Sequence, residues 1–274
     1  MHQINKDTVL CMSLASRPGN FGTRFQNYLY EAMGLNFVYK AFTTDDLEGA
    51  VRGIRALKIR GCAVSMPFKE KVIQYLDELD PSAKSIGAVN TIVNDQGFLR
   101  AYNTDYIAVH QLLSESGIAS SASVALYGSG GMAKAIAAAL FELGFKNVTV
   151  VARNAETGLA LADTYQFKHV FGFDELKSDT QFDLLINVTP IGMHPNPEKH
   201  RPFPDALIAR ATAIFDAVGN PPETELIRYA QSLGKKTISG FQILIIQALE
   251  QFRMYTGVSP DLELVKKAAE FARS

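Results

Sequence analysis

The segment 124–153 constrains the fold of this chain more than any other. An apolar run at 124–127 precedes a glycine-rich turn, Ala-rich helical sequence that stops at a glycine, and a β-branched run at 148–151. Strand, turn, helix and strand in this order predict a dinucleotide-binding βαβ unit, with the helix N–H groups facing the phosphates. The turn residues expected to bind the cofactor are Gly128, Ser129, Gly130, Gly131, Met132 and Ala133.

The end of the second strand indicates which dinucleotide binds. An acidic residue for the adenosine ribose 2′-OH is expected about 20 residues after the glycines. Instead, the strand ends in Ala152-Arg153-Asn154. An arginine suits a 2′-phosphate, so NADP is favoured over NAD. A solvated Arg153 and a glycine cluster that merely turns the chain are the alternatives.

Composition limits the class of partner. The chain has 274 residues, 47% of them hydrophobic, and a net charge of −1. No long basic run or basic-aromatic face occurs, so we expect a small-molecule substrate rather than nucleic acid or a membrane. The N-terminus lacks a signal-peptide core, and no apolar run suffices to span a bilayer, which predicts a cytoplasmic protein. The sequence leaves the oligomeric state open.

Cysteine and histidine do not suggest a metal site. Cys11 and Cys62 each lie in apolar, strand-like sequence without a C-x-x-C partner, so we expect reduced thiols in the core. His194 and His200 lie among prolines with no third ligand nearby, and we interpret them as loop residues.

Two series of alternating strands and helices predict two α/β domains. The first series has apolar runs at 9–14, 37–42 and 62–64 that alternate with helical patterns at 23–33, 47–57 and 69–79. Runs at 88–93 and 98–101 then predict a hairpin at the edge of a mixed sheet. A helix from 103 to about 116 leads to the second series, with strands at 124–127, 148–151, 169–171, 184–188 and 213–218.

The C-terminal helices are expected to return to the first domain, because 241–252 is apolar nearly all round and 261–272 is amphipathic. The predicted fold is therefore two-domain α/β. An N-terminal mixed-sheet α/β substrate domain comprises 1–102 with 240–274, and a Rossmann-type doubly wound NADP-binding domain comprises 103–239.

Two further residues are candidates for catalysis. Lys69 begins a helix directly after an apolar strand, where an ammonium near the positive helix end can exchange a proton. Asp105 follows Asn103-Thr104 before an apolar-periodic helix. A solvated lysine and an ordinary helix N-cap are the alternatives, and the residues alone do not bring Lys69 and Asp105 together.

A series of motifs follows in order along the chain: Val64-Ser-Met-Pro-Phe-Lys69, Gly87-Ala-Val-Asn90-Thr91, Asn103-Thr-Asp105, Gly128-Ser-Gly-Gly131, Arg153, Asn187-Val-Thr-Pro-Ile-Gly-Met193, and Gly240 with Gln247. Together these motifs resemble the shikimate dehydrogenase family, including its shikimate dehydrogenase-like and quinate/shikimate branches. The resemblance implies that Lys69 acts as acid/base and Asp105 orients the reacting hydroxyl, while hydride passes between a ring carbon and nicotinamide C4. It also implies that substrate is bound by Ser13, Ser65, Asn90 and Gln247, and that Thr189 and Gly240 join the cofactor site.

The chain departs from the family where substrate polar groups are bound. The family's Ser-x-Ser-Pro loop reads Ser13-Leu-Ala-Ser16-Arg17-Pro18 here, and the usual asparagine and tyrosine of two other motifs fall on Ala63 and Gly219. Arg17 is a candidate to grip a carboxylate in bidentate fashion.

We therefore expect an NADP-dependent dehydrogenase of a shikimate- or quinate-like cyclic hydroxy acid, with weak activity on shikimate. The alternatives are a nucleotide-responsive binding protein with a decayed substrate pocket and a folate-linked dehydrogenase of related architecture.

Overall fold

The computed structural model describes residues 4–176, 180–194 and 201–273. The chain divides into two compact units, Met1–Thr104 with Ile245–Ser274, and Asp105–Leu244. The limits predicted from the sequence, 102/103 and 239/240, are thus found at 104/105 and 244/245. The second limit lies inside one continuous helix, Gly240–Thr256, so no change in composition marks it.

The described residues form twelve strands and eleven α-helices. The strands are β1 (Val9–Leu14), β2 (Phe37–Phe42), β3 (Gly61–Val64), β4 (Glu78–Leu79), β5 (Thr91–Asp95), β6 (Phe98–Tyr102), β7 (Val124–Tyr127), β8 (Val148–Val151), β9 (Lys168–Val170), β10 (Leu184–Asn187), β11 (Ala213–Asp216) and β12 (Lys236–Ser239). The helices are α1 (Phe21–Ala32), α2 (Leu47–Ala56), α3 (Phe68–Lys71), α4 (Pro81–Lys84), α5 (Thr104–Glu115), α6 (Gly131–Glu142), α7 (Ala155–Tyr165), α8 (Asp205–Arg210), α9 (Glu225–Ser232), α10 (Gly240–Thr256) and α11 (Leu262–Arg273).

The first unit contains a mixed sheet of order β2-β1-β3-β5-β6-β4. β1 pairs in parallel with β2 and β3, while β5 pairs antiparallel with β3 and β6. The mixed sheet and the hairpin are confirmed, but the hairpin does not form the sheet edge. The short strand β4 pairs with β6 beyond it, in the register Glu78↔Arg100 and Leu79↔Ala101.

The helix predicted at 69–79 is wrong beyond residue 75. α3 ends at Lys71, a 3-10 turn covers Val72–Tyr75, and β4 follows. Asp77 explains the change: its backbone N–H donates to Leu99 O at 3.0 Å, and its carboxylate accepts the Leu99 N–H at 2.6 Å. These hydrogen bonds hold the chain at the sheet edge, where a helix cannot form them.

The C-terminal helices pack as the sequence predicts. Within α10 only Gln242 and Arg253 are exposed. α11 buries one face against α1, and the rings of Tyr28 and Phe271 lie 5.2 Å apart. Cys11 lies free in the core of this unit, where burial raises the pKa of its thiol to about 12, so it stays protonated and inert at neutral pH. Cys62 is likewise free and buried.

The second unit is built on a parallel sheet of order β12-β11-β10-β7-β8-β9. The chain runs outward from β7 in one direction and from β10 in the other, so the strand order reverses between them. This is the doubly wound arrangement, in which ligands bind beyond the carboxyl ends of the strands at the reversal point. Among the described helices, none is long and apolar enough to cross a membrane.

Candidate functional site

The glycine-rich turn borders a cavity of about 580 Å³ at the reversal point. Its walls come from the carboxyl ends of β7, β8 and β10. They are formed by Tyr127, Gly128, Ser129, Gly130, Ala152, Arg153, Asn154, Val188, Thr189 and Pro190. This volume lies in the usual range of small-molecule sites. Five of the predicted cofactor residues line the cavity: Gly128, Ser129, Gly130, Arg153 and Thr189.

Each glycine of the turn has a physical reason to be there. Gly128 has φ +118°, and a Cβ on it would lie 2.8 Å from Val188 Cγ2. A Cβ on Gly130 or Gly131 would meet no heavy atom within 4 Å, so the backbone here faces open space. No side chain caps α6 at Gly130, which leaves helical N–H groups for an anion. The turn therefore fits a pyrophosphate.

Arg153 is exposed at the end of β8 and lines the same cavity. The segment after it is held in place by Asn154, whose side chain accepts the Thr157 N–H at 3.0 Å and caps α7. Thr157 in turn shares a 2.7 Å hydrogen bond with the Ser129 hydroxyl. These contacts connect the glycine turn to the strand end that carries the arginine. Met132 is half-buried, and Ala133 is buried against the sheet.

A buried polar group lies beneath the loops that follow β10 and β11. Asp216 Oδ1 accepts from Asn187 Nδ2 at 2.9 Å, and Asp216 Oδ2 accepts from the Thr224 hydroxyl at 2.5 Å. Burial raises the pKa of Asp216, and these hydrogen bonds oppose the rise. Asn187 Oδ1 accepts from the N–H and hydroxyl of Thr189. The predicted cofactor residue Thr189 is therefore oriented by residues on two strands.

Gly240 and Gly219 lie where two backbone segments meet. A Cβ on Gly240 would lie 2.4 Å from Ala217 O, so only glycine fits this close approach. A Cβ on Gly219 would lie 3.3 Å from Gly240 O, which a small shift relieves. Backbone packing thus accounts for Gly240, and its role toward a cofactor stays a prediction.

In the first unit, Asn90 is the centre of a buried cluster of amides and hydroxyls. Its Oδ1 accepts from the Thr104 N–H at 2.7 Å and from the Thr91 hydroxyl at 2.8 Å. Its Nδ2 donates to Gln247 Oε1 at 3.2 Å. Gln251, one turn further along α10, donates to the Thr91 hydroxyl at 3.1 Å. The structure therefore brings the predicted substrate residues Asn90 and Gln247 into contact.

Backbone hydrogen bonds gather the other substrate candidates of this unit. Ser65 N donates to Leu14 O at 2.9 Å, next to Ser13 in β1, and Val89 N donates to Lys69 O at 2.8 Å, next to Asn90. Ser65 is exposed and Lys69 half-buried. Burial raises the pKa of the Tyr39 hydroxyl, and the nearby Ser13 side chain opposes the rise.

Arg17 and Asp105 differ in exposure. Arg17 is exposed in the loop after β1. Asp105 is only 7% exposed in the first turn of α5. The Asn103 side chain donates to Ala88 O at 3.0 Å, and α5 begins at the next residue, Thr104. Asn103 thus ties the 88–91 segment to the start of α5.

Sequence reasoning missed Asp216, Thr224 and Gln251. A buried aspartate at the end of an apolar run was the available signal for Asp216, since charged side chains are rarely buried without partners. Across the described residues, no cluster of three or more His, Cys, Asp or Glu side chains is placed to hold a metal ion. His194 is exposed, and His200 lies outside the described residues.

A mixed-sheet α/β unit with a polar cluster, followed by a parallel-sheet unit with a dinucleotide turn, defines a two-domain nucleotide-binding protein of the dehydrogenase class. Comparisons with known proteins narrow the class. A family profile described as the shikimate dehydrogenase substrate binding domain matches residues 22–92, and one described as shikimate / quinate 5-dehydrogenase matches residues 111–191.

Whole-chain relatives agree with the profiles. The chain is 54% identical over 272 residues to a shikimate dehydrogenase-like protein of Haemophilus influenzae, covering 99% of both chains. A solved structure of a shikimate 5-dehydrogenase-like protein matches with a TM-score of 0.95 at 53% identity, over 99% of this chain and 100% of that one. A shikimate dehydrogenase solved in complex with NADP+ matches with a TM-score of 0.87 at 32% identity, over 99% and 98%. The chain belongs to the shikimate dehydrogenase family.

Proposed function

We propose that the chain is an NADP-dependent dehydrogenase that transfers hydride between nicotinamide and a ring hydroxyl or ketone of a shikimate- or quinate-like cyclic hydroxy acid. Membership of the family makes it an NADP-dependent oxidoreductase. The observation that carries the choice of substrate class is the cluster at Asn90. The Asn90 amide donates to the Gln247 amide at 3.2 Å. Neutral amides suit the hydroxyl groups of a substrate rather than a charged group.

Lys69 is proposed to hold and return the proton of the reacting hydroxyl. Its backbone carbonyl is fixed by Val89 N at 2.8 Å, so α3 is anchored to the segment that carries Asn90. Asp105 is proposed to orient the hydroxyl from the first turn of α5. The bound nicotinamide supplies a hydride acceptor or donor at C4. A positioned acid/base of this kind contributes roughly 10²-fold to 10⁴-fold to a rate.

Arg153 is proposed to select NADP through the 2′-phosphate. Its exposure at the wall of the cavity supports this role. Glu156, in the first turn of α7, places a negative charge close by, and no second basic residue follows within that turn. We therefore expect a preference for NADP over NAD that is real but moderate.

Shikimate is proposed to be a poor substrate. Ala63 and Gly219 offer no side-chain hydrogen bond, and the loop from Ser13 to Pro18 departs from the family's Ser-x-Ser-Pro sequence. Each missing contact to a buried polar group of a substrate costs about 1–3 kcal/mol, so two or three lower the specificity constant by several orders of magnitude. Arg17 is exposed in the loop after β1 and is proposed to bind the carboxylate instead.

A panel of shikimate, quinate and related cyclic hydroxy acids, with NADP+ and NAD+, tests the proposal through the absorbance of the reduced nicotinamide. We expect turnover of at least one acid with NADP+, and a specificity constant for shikimate below roughly 10⁴ M⁻¹s⁻¹. An efficient reaction with shikimate would contradict the substrate assignment. NADP binding without turnover of any acid would favour the nucleotide-responsive binding protein, and turnover of a folate substrate the folate-linked dehydrogenase.

A further inference from the structure

A buried carboxylate lies beneath two loops of the second unit, and the proposed hydride transfer does not use it. Asp216 is fully buried at the end of β11. Burying an ionised carboxylate is costly unless its oxygens are well hydrogen-bonded. The Asp216 carboxylate accepts three hydrogen bonds. Asn187 Nδ2 and Val218 N donate to Oδ1 at 2.9 Å and 3.2 Å, and the Thr224 hydroxyl donates to Oδ2 at 2.5 Å. The carboxylate thus fixes the direction of three polar groups.

The first of these groups leads to the cavity wall. Because Asn187 Nδ2 is committed to Asp216, its Oδ1 must face the other way, toward Thr189. There it accepts the Thr189 N–H at 3.0 Å and the Thr189 hydroxyl at 2.7 Å. Thr189 lines the cavity with its neighbours Val188 and Pro190. A continuous chain of hydrogen bonds therefore runs from Asp216 to the wall.

The other two groups hold the loop after β11. Val218 N lies in this loop, and Thr224 at its end also caps α9 by accepting the Ile227 N–H at 3.3 Å. The two loops are joined directly by His194 N, which donates to Asn220 O at 3.0 Å. One carboxylate consequently ties together the loops 188–194 and 217–224.

The order of the strands assigns these loops to one half of a dinucleotide. β7 lies between β8 and β10. Arg153 follows β8, the glycine turn follows β7, and the loop 188–194 follows β10. A dinucleotide with its pyrophosphate on the glycine turn and its 2′-phosphate at Arg153 must extend its other nucleotide toward β10.

We propose that Asp216 is a positioning residue: through Asn187 and Thr224 it holds the loops 188–194 and 217–224 in the shape that receives the nicotinamide half of the cofactor. The inference rests on the proposed NADP-dependent function. Removing the carboxylate leaves three buried donors without an acceptor, so these loops rearrange. The adenosine half, bound at the ends of β7 and β8, is unaffected.

Calorimetric titration with NADPH and with adenosine 2′,5′-bisphosphate separates the two halves. Asp216→Ala should weaken NADPH about tenfold or more, while the bisphosphate stays within about twofold of wild type. Asp216→Asn should stay within about threefold for both ligands, because its amide oxygen still accepts from Asn187 and Val218 and its NH₂ donates to Thr224. Thermal melts establish that each variant is folded at the assay temperature.

If Asp216→Ala does not fold, two matched variants at Thr224 test the inference instead. Thr224→Val removes the hydroxyl and keeps the shape, and it should weaken NADPH about threefold to tenfold without weakening the bisphosphate. Thr224→Ser keeps the hydroxyl and should bind both ligands as wild type does. If Thr224→Val and Thr224→Ser bind NADPH equally, Asp216 does not act through this group.

Equal weakening of NADPH and the bisphosphate in Asp216→Ala, or no weakening of either, would overturn the inference. Its failure can be told apart from failure of the proposed function, because the titrations do not require turnover. If the wild-type protein binds NADPH but turns over no substrate, and Asp216→Ala weakens NADPH alone, the proposed activity is wrong and the positioning role stands. If turnover is normal and Asp216→Ala weakens NADPH and the bisphosphate equally, the activity stands and the positioning role is wrong.

Discussion

The two units both place polar groups at the ends of buried strands, but they do so in different ways. In the first unit the cluster around Asn90 is made of amides and hydroxyls, and Asn90 and Gln247 stand 157 positions apart. In the second unit, the glycine turn presents backbone groups to open space. The buried carboxylate of Asp216 accepts a hydrogen bond from Asn187, at the start of the neighbouring loop. A neutral cluster suits hydroxyl groups of a substrate, while a fixed backbone cradle suits phosphates.

The two sets of residues do not overlap, which predicts that substrate binding and cofactor binding can be changed separately. No residue of the Asn90 cluster contributes to the walls of the 580 Å³ cavity. We therefore expect variants of the first unit to change substrate turnover or KM, and variants of the second to change cofactor affinity. A variant that changes both to the same extent would break the comparison.

The largest effect is expected for Lys69→Ala. Loss of the proposed acid/base should lower kcat roughly 10²-fold to 10⁴-fold, with NADPH affinity unchanged. Lys71→Ala is the matched control, because Lys71 is exposed at the end of the same helix. Steady-state kinetics with titrations of NADPH measure both quantities. Turnover within a few-fold of wild type would remove Lys69 from the mechanism.

The next largest effect is expected for Arg153→Ala. Loss of a charge-assisted contact to the 2′-phosphate should weaken NADP about tenfold to a hundredfold, leave NAD nearly unchanged and spare the KM of the acid substrate. Lys146→Ala, which removes an exposed charge elsewhere in this unit, is the control. Equal losses for NADP and NAD would show that Arg153 does not bind the phosphate.

Within the first unit, Asn90 and Gln247 should differ. Asn90→Ala leaves the buried Thr104 N–H without its acceptor, so it should lower the free energy of unfolding by about 1–3 kcal/mol and raise KM as well. Gln247 is half-buried and makes a 3.2 Å hydrogen bond to Asn90, so Gln247→Ala should raise KM with little loss of stability. Denaturant unfolding measures the free energy of unfolding of each variant, and steady-state kinetics measure its KM. A Gln247→Ala variant as unstable as Asn90→Ala would make the cluster purely structural.

The smallest effect is expected at Asp77, which belongs to neither the Asn90 cluster nor the cavity wall. Hydrogen bonds from the Arg55 guanidinium and the Leu99 N–H lower the pKa of this carboxyl in the folded protein. A lowered folded-state pKa stabilises above the unfolded-state value of about 3.9, and the stabilisation is lost as the pH falls through the folded-state value. Asp77→Asn should therefore lose less than about 1 kcal/mol at neutral pH and nothing in strong acid. A pH series of melts, with exposed Asp45→Asn as control, measures this; a constant difference at all pH values would contradict it.

The glycine turn was predictable because its function lies in local backbone geometry. The pattern from Val124 to Arg153 contains the strand, the turn, the helix and the second strand. β12 was not predicted, since Lys236-Thr-Ile-Ser239 has little apolar periodicity and forms the sheet edge. Edge strands are polar on their exposed side, so hydrophobic pattern alone does not identify them.

The rest of the site was not predictable from the residues because it depends on long-range pairing. Leu99 holds Asp77 in the bend that leads into β4, where the local pattern favours a helix. Asn187, Asp216 and Thr224 meet only once β10 and β11 pair. Asn90 and Gln247 were both named as substrate residues through resemblance to a family rather than from spacing, their contact was not predicted, and Gln251, one turn further along α10, was missed.

Transfer of deuterium tests the central claim most directly. The cyclic acids of the absorbance panel, each labelled on the ring carbons that bear its hydroxyl groups, are incubated with NADP+, and the cofactor is recovered for mass spectrometry. We predict that the label appears in NADPH with the wild-type protein, and at a rate lowered by orders of magnitude with Lys69→Ala. A wild-type protein that binds NADPH but transfers no label from any acid would contradict the account, since the two units would then bind ligands without joining them in one reaction.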